Sequence, residues 1–251
     1  MKKKTIIILG VILTAILVSI LVFCNEITKP IKISDIAYDK HKQFGYTIYI
    51  KETDGYKPYL VLTNKYNGNT LLLRKYLLSE PHIFNPLYPN GPYKNYYENS
   101  EIDTFLNIEY RETLDETIQR KIVPSEIVIT AKFSGPNAHT VERTFDIFLL
   151  SMTEIGSKGG SYLTEGKPLK YFKIPENRSA SFETGEREGW WFRTSSIYSS
   201  NTGLAYTHDD KFGGGAVYYA NGVRPAFCVS GDEPITTRDD IIPGEVVYVF
   251  E

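Results

Sequence analysis

Cysteine is nearly missing from this 251-residue chain. Cys24 ends an apolar run and Cys228 sits in a strand-like one, so they are not expected to pair, and a cysteine-stapled scaffold is excluded. Histidine is scarce too: His41, His82, His139 and His208 show no metal-ligand spacing. There is no surplus of basic charge. The formal net charge of −2 argues against nucleic acid as a partner. A Gly-x-Ser-x-Gly nucleophile elbow is missing, and Ser195 and Ser196 have no paired histidine nearby in sequence. No internal repeat is visible, and the dispersed acids Asp209-Asp210 and Asp232-Glu233 read as solvated loop carboxylates.

What is present points to a folded chain outside a membrane. Hydrophobic residues make up 42% and charged residues 23%, as in a globular protein. The 19 tyrosines read mostly as cross-strand packing in a sheet, with a few free to form an amphipathic binding surface. Lys2, Lys3 and Lys4 precede an uncharged apolar run from Thr5 to Phe23. At ~1.5 Å per residue that run spans about 28 Å, close to the thickness of a bilayer core. The lysines predict a cytoplasmic N-terminus. The expected plan is a cytoplasmic tip at 1–4, a transmembrane anchor at 5–23, a stalk at 24–43, an ectodomain at 44–231 and a C-terminal extension at 232–251 ending in a strand. The protein is thus expected in a plasma membrane as a single-pass chain with its domain extracytoplasmic. Secretion after signal cleavage, or lipid anchoring at Cys24, are the alternatives.

From Phe44 onward, alternation predicts strands at Phe44–Lys51 and Lys57–Asn64. Asn67-Gly68 predicts a tight hairpin, with Leu62 and Leu73 on one face. Ser100, with Asp103 three residues on, predicts a helix start. Thr113-Leu114-Asp115-Glu116 predicts a second, with Leu114, Ile118 and Ile122 turned inward. Strands follow at Ile127–Phe133, Val141–Ser151 and Val246–Phe250.

Two late stretches place an arginine among apolar residues: Trp190-Trp191-Phe192-Arg193-Thr194-Ser195 and Gly222-Val223-Arg224-Pro225-Ala226-Phe227. A charge inside such a strand needs fixed partners. For Arg193 and Arg224 the expected partners are Asp103, Asp146, Glu154 or loop carbonyls. Asn221-Gly222 predicts a second hairpin that sets Tyr219 opposite Arg224 and Tyr218 opposite Pro225. Pro225 cannot donate to a ladder, so its strand should lie at an edge or carry a bulge. Alternation turns Trp190, Phe192 and Thr194 to the core, and Trp191, Arg193 and Ser195 toward a groove.

These features, in this order, resemble a bacterial domain family of unknown function. The matching pieces are Tyr59–Leu78, Ser100–Asn107, Phe145–Ser151 with Glu154, Trp191–Ser195 and Gly222–Ala226. The Trp-x-Arg and Gly-Val-Arg-Pro-Ala pieces are also similar to those of C-type-lectin-like domains of the formylglycine-generating type. That resemblance implies an α+β, C-type-lectin-like mixed domain with antiparallel hairpins, two short helices and long loops. It brings no copper chemistry here, because only Cys228 lies in the domain, and no calcium loop, because the Glu-Pro-Asn and Trp-Asn-Asp signatures are missing.

The functional expectation is a membrane-anchored extracytoplasmic binding module without a cofactor. Its ligand would be an envelope glycan, peptide or protein met by Trp191, Arg193, Tyr198, Tyr206 and Tyr219. Trp190, Arg224, Pro225, Asp103, Asp146 and Glu154 would be structural. The alternatives are a structural subunit of an envelope complex, or an enzyme of unknown chemistry.

Overall fold

A computed structural model describes residues 30–40, 46–86, 95–131, 137–157, 159–198, 202–206 and 212–251, the stretch 202–206 through its backbone only. The expected anchor at 5–23 lies outside the described residues. No helix among the described residues is long and apolar enough to cross a membrane.

The structure is mostly β, with 43% strand against 16% helix. The lectin-like α+β expectation is therefore overturned. Among the described residues, helix is limited to one 13-residue segment, the six-residue Glu116–Lys121 and a few short turns. The strands that matter are β1 (Thr47–Glu52), β2 (Gly55–Tyr66), β3 (Asn69–Arg74), β4 (Ile122–Val123), β5 (Ser125–Thr130), β6 (Thr140–Phe145), β7 (Ile147–Phe148), β8 (Trp190–Ser195), β9 (Thr202–Tyr206), β10 (Phe212–Ala216), β11 (Ala226–Val229), β12 (Pro234–Ile242) and β13 (Glu245–Phe250).

The main sheet has nine strands. Beyond a two-residue edge segment ending at Lys32, it runs β12, β13, β1, β2, β3, β11, β4, with β7 also pairing to β11. Neighbours are antiparallel except β13 and β1, which run parallel with Tyr248 beside Ile48. The C-terminal hairpin therefore joins the sheet directly. Strands β8, β9 and β10 form a separate three-stranded sheet, and β5 pairs with β6.

Local chemistry explains the turns. Asn67 and Gly68 adopt φ of 50° and 84°, the left-handed pair that a tight hairpin needs. Two register shifts between Val61 and Tyr66 then break the simple alignment. Leu73 faces Leu60 instead of the expected Leu62. Ser100 caps the helix at 101–113, its Oγ accepting from Asp103 N at 3.2 Å. That helix widens into a π turn at Leu106–Tyr110. The next helix, Glu116–Lys121, is capped by Asp115, which accepts from Thr117 N, and not by Thr113.

The hairpin expected at Asn221-Gly222 does not form. Ala220 and Asn221 pair instead with Ile83 and His82. Gly222 bridges to Trp190, donating to Gly189 O at 2.7 Å and accepting from Trp191 N at 3.0 Å. A Cβ at this glycine would lie 2.7 Å from a Leu77 methyl and 2.8 Å from Gly189 O. Close approach of backbones, not a left-handed turn, is what demands glycine here. Tyr218 and Tyr219 consequently do not face Pro225 and Arg224. Pro225 stands just before β11, where it removes no ladder donor and its carbonyl accepts from Arg74 N at 2.9 Å.

Candidate functional site

Strand β8 is buried on both faces, so its alternation does not separate a core side from an open side. Arg193 is fully buried. Its Nη1 and Nη2 donate to the two carboxylate oxygens of Glu154 at 2.7 and 2.9 Å, a bidentate pair. Nη1 also reaches Leu149 O and Nε reaches Val128 O. Glu154 is held further by Ser151 N at 2.9 Å and the Tyr66 hydroxyl at 2.6 Å. Beside this pair, buried Glu165 accepts from Thr130 N, Thr130 Oγ1 and Thr194 Oγ1. Burial raises the Glu165 carboxyl above its usual range, against the pull of Arg193 and the hydroxyls. Every strong donor of this cluster is spent inside the fold, tying β8 to β5 and to the turn after β7.

Arg224 is buried and forms no ion pair among the described residues. Nε donates to Arg74 O and Nη2 to Lys75 O, both at 3.2 Å, and the guanidinium lies 4.9 Å from the centre of the Trp190 ring. Nη1 has no hydrogen-bond partner among the described residues. Burial pulls its pKa down to about 10.

The remaining residues singled out in the sequence scatter. Trp191 is buried, its Nε1 donating to His82 O, and Trp190 donates to Arg178 O. Asp146 pairs with Arg111, and Asp103 accepts from Asn99 N and Asn107 Nδ2 within its own helix start. Tyr198 and Tyr219 are exposed, at 77% and 63%. Tyr206 is described by its backbone alone, which pairs with Trp190. The structure does not gather the five expected ligand-contacting residues into one open surface.

A cavity of about 520 Å³ borders the Arg193–Glu154 cluster, with Tyr66, Glu154 and Arg193 in its lining, and a second one overlies another buried polar cluster. A cavity of about 800 Å³ sits between the β1–β2 turn, the chain after β3, the helix at 101–113 and the turn at residues 182–186. Its floor is a buried polar knot. Glu52 Oε1 accepts from the Tyr59 hydroxyl at 2.5 Å and from Arg74 Nε at 2.9 Å. The Tyr110 hydroxyl closes the knot on Tyr59, carried there by the π turn. Burial, reinforced by Glu52, raises both tyrosines well above their ordinary pKa, so they stay protonated as donors. A ladder of charges climbs from this floor: Arg74 also meets Glu183 at 3.5 Å, Glu183 meets Lys57 at 2.9 Å, and Lys57 meets Asp54 at 3.0 Å. An apolar shelf of Leu77, Leu78, Phe105 and Phe182 completes the lining. His82 stacks on Phe105 with ring centres 3.7 Å apart.

Sequence reasoning missed Glu52, Tyr59, Arg74 and Tyr110. One signal was available. Strand alternation places Ile48, Ile50 and Glu52 on one face, and a carboxylate ending a core-facing row needs a buried partner. Among the described residues, no group of three or more His, Cys, Asp or Glu is arranged to hold a metal ion.

The fold and cavity define a mostly β domain that carries a preformed pocket. The chain belongs to the family described as Domain of unknown function (DUF6273), whose profile matches residues 67–231. No curated protein and no solved structure matches the chain.

Proposed function

We propose that this chain is a membrane-anchored, extracytoplasmic binding module that recognises an envelope glycan, peptide or protein segment without transforming it. The observation that carries this reading is the cavity of about 800 Å³ over the Glu52–Arg74 knot. It has the size of a ligand site, with an apolar shelf and a few fixed polar groups. Its deepest polar side chains are engaged with one another, which suits a rigid recognition floor better than proton transfer to a ligand. The uncharged run from Thr5 to Phe23 behind three lysines supports the anchor.

The test is capture of ligands by the full-length protein from glycan and peptide arrays. Ser79, an exposed residue of the cavity lining, provides the control. Captured ligands are expected to be lost by Ser79→Trp, whose ring fills the mouth. Arrays that yield no ligand, or ligands indifferent to Ser79→Trp, would overturn the proposal.

A further inference from the structure

We infer that the cavity takes a cationic group, a primary amine or guanidinium carried on an aliphatic stem, as in a lysine or arginine side chain. This rests on the cavity being the ligand site. Three separate features of the cavity converge on that chemistry.

The first is charge balance. The lining carries six carboxylates against two cationic side chains. Both cations are already engaged: Arg74 by Glu52 and Glu183, Lys57 by Asp54 and Glu183. Arg74 Nη1 is taken up as well, by the carbonyls of Tyr76 and Leu77 at 3.0 and 2.6 Å. Among the described residues, no free cation is left in the lining to greet an anionic ligand. Glu80, Glu109 and Glu186 make no ion pair among the described residues, and all three are exposed. They can supply negative potential at the mouth without first breaking an internal bond.

The second feature is the shelf. Leu77, Leu78 and Phe182 all belong to the lining, and their apolar surface suits the methylene stem of a long basic side chain. The third is the His82–Phe105 stack, which belongs to the same lining. Aromatic faces attract a cation by their quadrupole, and the attraction grows where water is excluded. A carboxylate-only mouth would hold any cation weakly. The combination of stem-binding surface, ring face and unpaired acids selects an organic one.

The helix at 101–113 contributes Phe105, Glu109, Tyr110 and Thr113 to this lining. The π turn brings residues four and five apart onto a common face, so ring and carboxylate approach the ligand together.

The experiment is isothermal titration of the full-length protein in neutral detergent. The probes are end-blocked Ala-Lys-Ala, its Nε-acetyl-lysine counterpart, end-blocked Ala-Glu-Ala, and the free diamine cadaverine. The lysine peptide is expected to bind, and the acetylated and glutamate peptides to bind at least about tenfold more weakly. Cadaverine binding as tightly as the peptide would identify a free amine as the natural source. Weaker binding of cadaverine would identify a side chain within a polypeptide. The combined Glu80→Gln, Glu109→Gln and Glu186→Gln variant changes only exposed side chains. It is expected to weaken the lysine peptide about tenfold while leaving the melting curve in place. Equal binding of the glutamate or acetylated peptide, abolished by Ser79→Trp, would overturn the cationic assignment and leave the cavity as the ligand site. Absence of heat from every probe would overturn the cationic assignment as well. Array ligands lost on Ser79→Trp would then show that the site itself stands.

Discussion

Burying a guanidinium costs several kcal/mol unless partners replace its water, and Arg193 and Arg224 meet that cost differently. Arg193 has a matched carboxylate, so removing one member strands the other. Arg193→Ala is expected to destabilise the fold by about 3–5 kcal/mol in chemical denaturation, more than Arg193→Met combined with Glu154→Leu. A double variant worse than the single would refute the pairing account. Arg224 leans on two carbonyls and a Trp190 face, a looser arrangement. Its replacement by Ala is expected to lower the melting temperature by about 5 °C, and an unmoved curve would remove it from the staple. Asp103 carries the clearest pH signal. Burial raises its carboxyl to about 6 from the usual 3.8. The folded state therefore binds the extra proton, and this residue's contribution to stability declines as pH rises from about 4 to about 6. Asp103→Asn should flatten that part of the stability profile. An identical profile for the variant would contradict the shift. At this scale the sequence made the arginines visible because charges inside aromatic runs stand out. Glu52 stayed hidden because it closes a strand whose next residues are polar, where a carboxylate reads as solvated.

At the scale of elements, the two Asn-Gly pairs carry the same letters and do different work. Gly68 turns a hairpin through positive φ, while Gly222 lets Trp190 and Gly189 approach closely. Gly68→Ala is expected to cost about 1 kcal/mol from backbone strain. Gly222→Ala is expected to cost about 1–3 kcal/mol, because Leu77 and a rigid carbonyl stand in the way. Denaturant midpoints giving the opposite order would contradict this division of roles. The distinction was not legible locally, since a dipeptide encodes turn preference but not which distant chain packs on it. The bulges in β2 were not legible for the same reason: the loop fixes the first pair, Tyr66 with Asn69, but not the register further along the strands. The helix start at Ser100 was legible because capping is a contact within four residues.

Across the whole molecule, the β12–β13 hairpin closes the sheet against β1, and β1 ends in Glu52 at the cavity floor. The overall class was not legible because short motifs do not report strand content, and a parallel pairing between the last strand and β1 leaves no mark in sequence. Sheet and cavity are therefore mechanically joined, and the proposed recognition depends on a floor that the core holds still. Methyl resonances report this most directly. Leu77 and Leu78 line the cavity, whereas Leu150 lies buried next to the Arg193 staple. Titrating the methyl-labelled full-length protein with an array-selected ligand should shift Leu77 and Leu78 in a saturable way and leave Leu150 in place. Saturable shifts that spare both cavity leucines would contradict the account.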